Sequence, residues 1–248
     1  MSDTNKVISF VLIMTTVVAL ILALMQNGLK DIHDLNEALY SKKATLAAVA
    51  NQLTKDIDDI TDEEVQSIFD NQIKQYVVNQ AGEVISSEQL LEMGIKGGQA
   101  ENLELGREQK KDEADRLMPL YVFTKEDGTK YYIVYARGKG LWDEIWGNIA
   151  LESDLNTIAG VSFDHKAETP GLGAEIKDNA EFKKQFIGKK FYTESGEFKS
   201  VYVRKGGAKD PVFEVDGISG ATITADGVTE MLERGIKAYE TYINTLKG

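Results

Sequence analysis

Asp216-Gly217-Ile218-Ser219-Gly220-Ala221-Thr222-Ile223-Thr224 is the stretch of this chain with the clearest chemistry. Gly217 and Gly220 let the backbone take left-handed angles and come close to a ligand. The hydroxyls of Ser219, Thr222 and Thr224 precede a run in which Val228, Met231, Leu232, Tyr239, Ile243 and Leu246 recur at helical spacing. A helix start leaves its first amide N–H groups unpaired and carries the positive end of the helix dipole. The pattern therefore predicts an anion site, a phosphate site in particular, with the helix beginning near Ala225. Either Thr222 or Thr224 could cap that helix, and chemistry alone does not choose which one bonds phosphate. A threonine hydroxyl is a weak nucleophile without a neighbouring base. No Ser/His/Asp arrangement is visible near Thr224, so a bond there implies a separate transferase. Asp226 places a like charge in the same turn, for which the sequence offers no reason.

Two more stretches present bare backbone. In Glu168-Thr169-Pro170-Gly171-Leu172-Gly173 the proline lacks an amide donor and two glycines lack side chains, so the segment can offer its backbone and Leu172 to a flat ring. Glu168 reads equally well as a solvated loop carboxylate or as a ligand contact, whereas Thr169 and Leu172 read as contacts. Gly171-Leu172-Gly173 lacks the third glycine of a dinucleotide fingerprint, with Ile176 in its place, so NADH binding is rejected here. In Gly138-Lys139-Gly140-Leu141-Trp142 the indole either lies on a ring or is buried as core surface. Trp146 reads as packing or as a membrane-proximal interface, His33 as a juxtamembrane surface residue, and Gly206-Gly207 as a surface turn or as room beside a ligand.

Asp-Gly-x-Ser-Gly-Ala-Thr-x-Thr is similar to the flavinylation motif of proteins that hold FMN through a phosphoester to the last threonine, here Thr224. With the other two stretches and one N-terminal membrane anchor, the chain resembles the C subunits of the sodium-translocating NADH:quinone oxidoreductases, most closely from about Tyr132 to Val228. The resemblance implies one covalent FMN on Thr224, with Ser219, Gly220, Ala221, Thr222, Glu168, Thr169, Leu172, Gly173, Leu141 and Trp142 as its contacts. It implies an electron relay between redox centres of partner subunits during NADH oxidation, quinone reduction and Na+ export, by a chain that catalyses nothing alone. It also implies a magnesium-dependent flavin transferase that moves FMN from FAD, and a globular part on the periplasmic side of a bacterial inner membrane. The G subunit of the Rnf complex shares Glu-Thr-Pro-Gly-Leu-Gly and Ser-Gly-Ala-Thr, but Gly-Lys-Gly-Leu-Trp and the long N-terminal helical region favour the first family. A flavin-free, membrane-anchored assembly protein is the alternative of another class.

These residues need a scaffold that 248 residues with 42% hydrophobic content can supply as one good-sized domain plus an appendage. A net charge of -12 argues against nucleic acid, whose phosphates would repel the chain. Cysteine is absent, so no iron–sulfur thiolate or disulfide comes from this chain, and two histidines leave no multi-histidine metal site. Val7 to Met25 is an uncharged run of nineteen residues, about what a helix needs to cross a bilayer. The bulky Leu24-Met25-Gln26 lacks a signal-peptidase site. Lys6 and Lys30 leave the orientation undecided.

The predicted organisation is a tail at 1–6, a membrane helix at 7–26, a helical membrane-proximal region at 27–118 and an FMN-binding domain at 119–248. Ile32, Leu35, Leu39, Leu46 and Val49 mark one helical face, and Val65, Ile68, Phe69, Ile73 and Val77 another. Glu101 to Arg116 reads as a solvated loop or frayed helix. Strands are expected at Leu120 to Phe123 and Tyr131 to Tyr135 about an Asp127-Gly128 turn, then at Asn148 to Leu151, Thr157 to Phe163, Lys199 to Val203 and Val212 to Val215. A helix is expected at Ala180 to Ile187. The fold class is α+β, with a mainly antiparallel sheet and flanking helices.

Overall fold

The computed structural model describes residues 3–247. Residues 1 and 2 of the expected tail, and Gly248, lie outside the described residues, and Asp3 to Lys6 is already helical. The chain divides after Ser41 into two compact units.

The first unit is nearly all of helix α1 (Asp3–Ala47). It is long and apolar enough to cross a membrane. Val7, Phe10, Leu12, Leu20 and Leu24 are all exposed, so the helix is apolar all round, as a lipid-facing segment requires. The hydroxyls of Thr15 and Thr16 donate to the carbonyls of Val11 and Leu12, four residues back, which satisfies both within the apolar run.

The second unit opens with the last turns of α1, where Lys42, Thr45 and Leu46 are buried. Helix α2 (Asp62–Gln72) starts at a capping box, in which Thr61 and Glu64 each satisfy the other's backbone N–H. The helical reading extends this face to Ile73 and Val77, but the chain instead turns into strand β1 (Ile73–Val78). A spacing of four residues lies on one face of a helix and also on one face of a strand, so periodicity cannot separate them. Six-residue antiparallel pairing with β3 (Met118–Thr124) decides it. Region 27–118 thus contributes strands as well as helices: β2 (Val84–Ile85) follows β1, then α3 (Ser87–Glu92) and α4 (Leu105–Glu108). The charged stretch from Glu101 is tied down, since Glu101 pairs with Lys42 at 3.0 Å and buried Glu108 accepts from the Leu117 amide at 3.0 Å.

Asp127-Gly128 turns β3 into β4 (Lys130–Lys139), followed by β5 (Glu144–Leu151) and β6 (Ile158–His165). The six strands form one antiparallel sheet in the order β2-β1-β3-β4-β5-β6. Alternate residues feed two cores. Leu46, Val65, Phe69, Tyr121 and Phe123 fill one, and Leu120, Val134, Ile145, Ile149 and Phe163 meet helix residues in the other.

After β6 come α5 (Glu175–Asp178) and α6 (Ala180–Lys184), the latter ending short of the expected Ile187. The two late strands, β7 (Tyr202–Arg204) and β8 (Glu214–Asp216), pair parallel with each other and stay outside the main sheet. Helices α7 (Thr222–Ala238) and α8 (Glu240–Lys247) close the chain.

Helix α7 lies unusually close to β4. A Cβ on Gly227 would sit 2.2 Å from the Lys139 carbonyl oxygen, and one on Gly138 would sit 2.8 Å from Met231 Cβ. Its far end is pinned by fully buried Tyr239, whose hydroxyl donates to the Pro119 carbonyl at 2.7 Å. The helix start is thereby fixed against the ends of β4 and β5.

Candidate functional site

The three stretches singled out above meet at the start of α7. Thr224 is the third residue of that helix, which begins at Thr222 and not near Ala225, because the Ala225 amide already bonds to the Ala221 carbonyl. Ala221 is the N-cap and no side chain caps the helix, so neither Thr222 nor Thr224 has the capping role the sequence allowed. That leaves the first-turn amides available to an anion.

The Thr224 side chain points inward and is 0% exposed. Its hydroxyl donates to Glu168 Oε2 at 2.6 Å and lies 3.2 Å from the Leu172 carbonyl oxygen. Glu168 is not a solvated loop carboxylate, being 6% exposed. The carboxylate accepts backbone N–H groups from Trp142 at 2.9 Å, Leu141 at 3.3 Å and Asp143 at 3.4 Å. Its own amide donates to His165 Nδ1 at 3.1 Å, fixing the start of the loop.

Two glycines make room for this pair. A Cβ on Gly173 would stand 2.3 Å from Thr224 Oγ1, and one on Gly140 would stand 2.6 Å from Glu168 Oε1. Gly220 (φ 83°) holds the turn before α7 in the left-handed region, where a side chain would also strike the Gly171 carbonyl at 2.7 Å. Ser219 and Gly220 are exposed in that turn, and Ala221 is buried behind them.

Burial pushes the Glu168 carboxyl up, but the Thr224 hydroxyl and the amides of Trp142, Asp143 and Leu141 outweigh it and hold the group below its ordinary range. It is an anion at neutral pH. Glu175, which the sequence reading missed, accepts from the amides of Gly171 and Gly173, the latter at 3.2 Å. Those bonds, Gly171's first, lower its pKa. It fastens the glycine loop as Glu168 fastens the Leu141 to Asp143 turn. Asp226 is exposed, where water and salt screen its charge.

Trp142 is 60% exposed and Leu172 39% exposed. Burial of the indole as core is thus excluded, and both large apolar side chains stand at the surface on backbone that touches the Glu168–Thr224 pair. Thr169 is exposed, and its carbonyl closes the turn by accepting from Leu172 and Ala174. Trp146 is half-buried under the Arg137 guanidinium, 5.5 Å from the ring centroid. A cleft of about 410 Å³, lined by Leu53, Ile60, Phe123 and Lys125, lies on the α2 side of the sheet, away from these groups.

An uncapped helix start for a phosphate, next to exposed apolar side chains for a ring, fits FMN. Residues 140–237 match the FMN-binding domain family. Over 96% of its length the chain is 31% identical to the C subunit of the Na(+)-translocating NADH-quinone reductase of Neisseria meningitidis serogroup B, covering 92% of that relative. The chain belongs to the C-subunit family of the Na(+)-translocating NADH-quinone reductases. A Vibrio alginolyticus member is 40% identical over 110 residues, 44% of this chain and 42% of the relative. The crystal structure of the C subunit from Parabacteroides distasonis superposes with a TM-score of 0.72 at 34% identity, covering 87% of this chain and 96% of the other. Shewanella oneidensis NqrC gives 0.64 at 27% identity, with 84% and 99% covered. C-subunit membership sets aside the G-type reading and makes the chain one subunit of an oxidoreductase complex, with an FMN-binding domain and other subunits as partners.

Proposed function

We propose that this chain holds one FMN by a phosphoester to Thr224 and serves as an electron relay between redox centres of its partner subunits. The observation that carries the reading is the placement of the Thr224 hydroxyl on the first turn of an uncapped helix, within the FMN-binding match. The amides of Thr222, Ile223 and Thr224 would face the phosphate, which the dipole end stabilises by roughly 0.3 to 1 kcal/mol, and more when partly buried. Ser219, Gly220 and Ala221 shape the approach. Thr169, Leu172, Gly173, Leu141 and Trp142 would line the ring, with Leu172 and Trp142 covering it from water. When bound, the flavin supplies the redox chemistry, and this chain supplies position and burial. Attachment needs a flavin transferase acting on FAD, and the likeness to the C subunits supports a globular unit on the periplasmic side of the inner membrane.

Intact mass and in-gel flavin fluorescence after denaturation test the link. Thr224→Val keeps the shape and removes the oxygen, so covalent FMN should vanish while the fold persists. Thr222→Val should keep covalent FMN at close to the parent level, because the Thr222 hydroxyl caps nothing. Flavin retained by Thr224→Val and lost from Thr222→Val would move the bond to the other threonine.

A further inference from the structure

We propose that Glu168 is the base that takes the proton from the Thr224 hydroxyl when FMN is attached, so that the acceptor protein supplies part of its own modification chemistry. The inference rests on Thr224 being the attachment residue. The two oxygens are 2.6 Å apart and both side chains are buried, the reach a general base needs. A threonine hydroxyl without such a neighbour is a poor nucleophile. Three amide donors from Leu141, Trp142 and Asp143 orient the carboxylate from one side, and the Thr224 hydroxyl meets it on Oε2. Other residues of α7 that face inward, such as Val228, Met231 and Leu232, are apolar and require no such arrangement.

The step balances. Thr224 Oγ1 forms a bond to the flavin-side phosphorus of FAD as that phosphorus loses its bond to the bridging diphosphate oxygen, which leaves with AMP. The threonine proton passes to Glu168, and no electrons change hands.

Thr224 has no exposed surface, and Gly173 closes over it. The phosphorus therefore reaches it only after the Leu172–Gly173 backbone moves aside. Glu168 stands at the β6 end of the loop and is held by the Leu141 to Asp143 turn, so it stays in place when that cover lifts.

The test uses the full chain, purified unmodified in detergent, with purified flavin transferase, FAD and Mg2+, and the attachment residue mapped by mass spectrometry. Glu168→Gln keeps the size and an oxygen acceptor but removes the basicity. Its maximal labelling rate should fall about 10²- to 10⁴-fold with unchanged half-saturation by the acceptor chain. The deficit should shrink by about tenfold per pH unit on the alkaline side as hydroxide replaces the missing base. Glu168→Asp, still basic but one methylene shorter, should recover part of the rate. A Glu168→Gln chain labelled as fast as the parent overturns the proposal, as does a slow one whose deficit lies in half-saturation and ignores pH. If Glu168→Gln melts before the assay temperature, Glu168→Asp decides: a maximal rate equal to the parent's at every pH would sink the idea, and a lowered maximal rate whose deficit shrinks as pH rises would support it. FMN mapped in the parent to a residue other than Thr224 defeats the attachment reading instead, which keeps the two failures apart.

Discussion

Leu172 and Trp142 are exposed although large and apolar, and they flank a hydroxyl whose partner is an anion. If the ring rests on Leu172, Leu172→Asp puts a charge about 6 Å from it, worth roughly 0.7 to 2.8 kcal/mol between effective dielectric constants of about 80 and 20. An added anion opposes an incoming electron, so the flavin midpoint should drop by about 30 to 120 mV. Covalent attachment should persist. Redox titration of the flavin-loaded variant checks this, and a midpoint equal to the parent's would place Leu172 away from the ring. Thr224 and Leu172 were legible because their motifs are contiguous in the chain. Glu168 was read as a loop carboxylate or a ring contact, since nothing around position 168 signals a hydroxyl 56 residues further on. Glu175 escaped altogether, because its donors are turn amides that any carboxylate could have met.

Helix α7 is the element on which the site depends. Its amphipathic stripe was visible in the sequence, but its first turn was misplaced by three residues, because Thr222 to Thr224 look like capping residues and behave as helix interior. The β7–β8 pair leads the chain into that helix, and Glu214 holds it. The carboxylate accepts from the amides of Lys209 at 2.8 Å and Asp210 at 3.1 Å and from Arg204 Nε at 2.6 Å. These bonds, Lys209's first, pull its pKa from 4.5 to about 2. A depressed carboxylate pKa stabilises the fold above the unfolded value and loses that contribution as pH falls through the folded one. The advantage of the parent over Glu214→Gln in unfolding midpoint should therefore be complete above pH 4.5 and fade as pH drops towards about 2. A difference unchanged across that window would mean that the charge of Glu214 is not what holds the loop. Both late strands were expected as strands, and their short parallel pairing with each other depends on a neighbour that local pattern does not name.

At the scale of the molecule, one apolar helix and one α+β unit suit a single-pass subunit. Lys6 and Lys30 balance, so charge leaves orientation open, and the family resemblance carries the periplasmic expectation. An exported reporter fused after residue 248 should be active and a cytoplasmic reporter silent, and the reverse would place the flavin on the other side. The sequence by itself determined the long apolar helix, the α+β class and the segment that carries Thr224. Each is local: an unbroken apolar run, period-two alternation around a tight turn, and a motif read in consecutive residues. Only the tertiary structure decided that residues 73–78 form a strand, because spacing of four fits both periods and pairing with β3 supplies the difference. It also decided what stands beside the Thr224 hydroxyl. The close seating of α7 on β4 through Gly138 and Gly227 brings Thr224 to Glu168, and the β4-β5-β6 register brings the Trp142 amide to the same carboxylate. Those contacts join segments far apart in the chain, and their chemistry exists only once the sheet has been assembled.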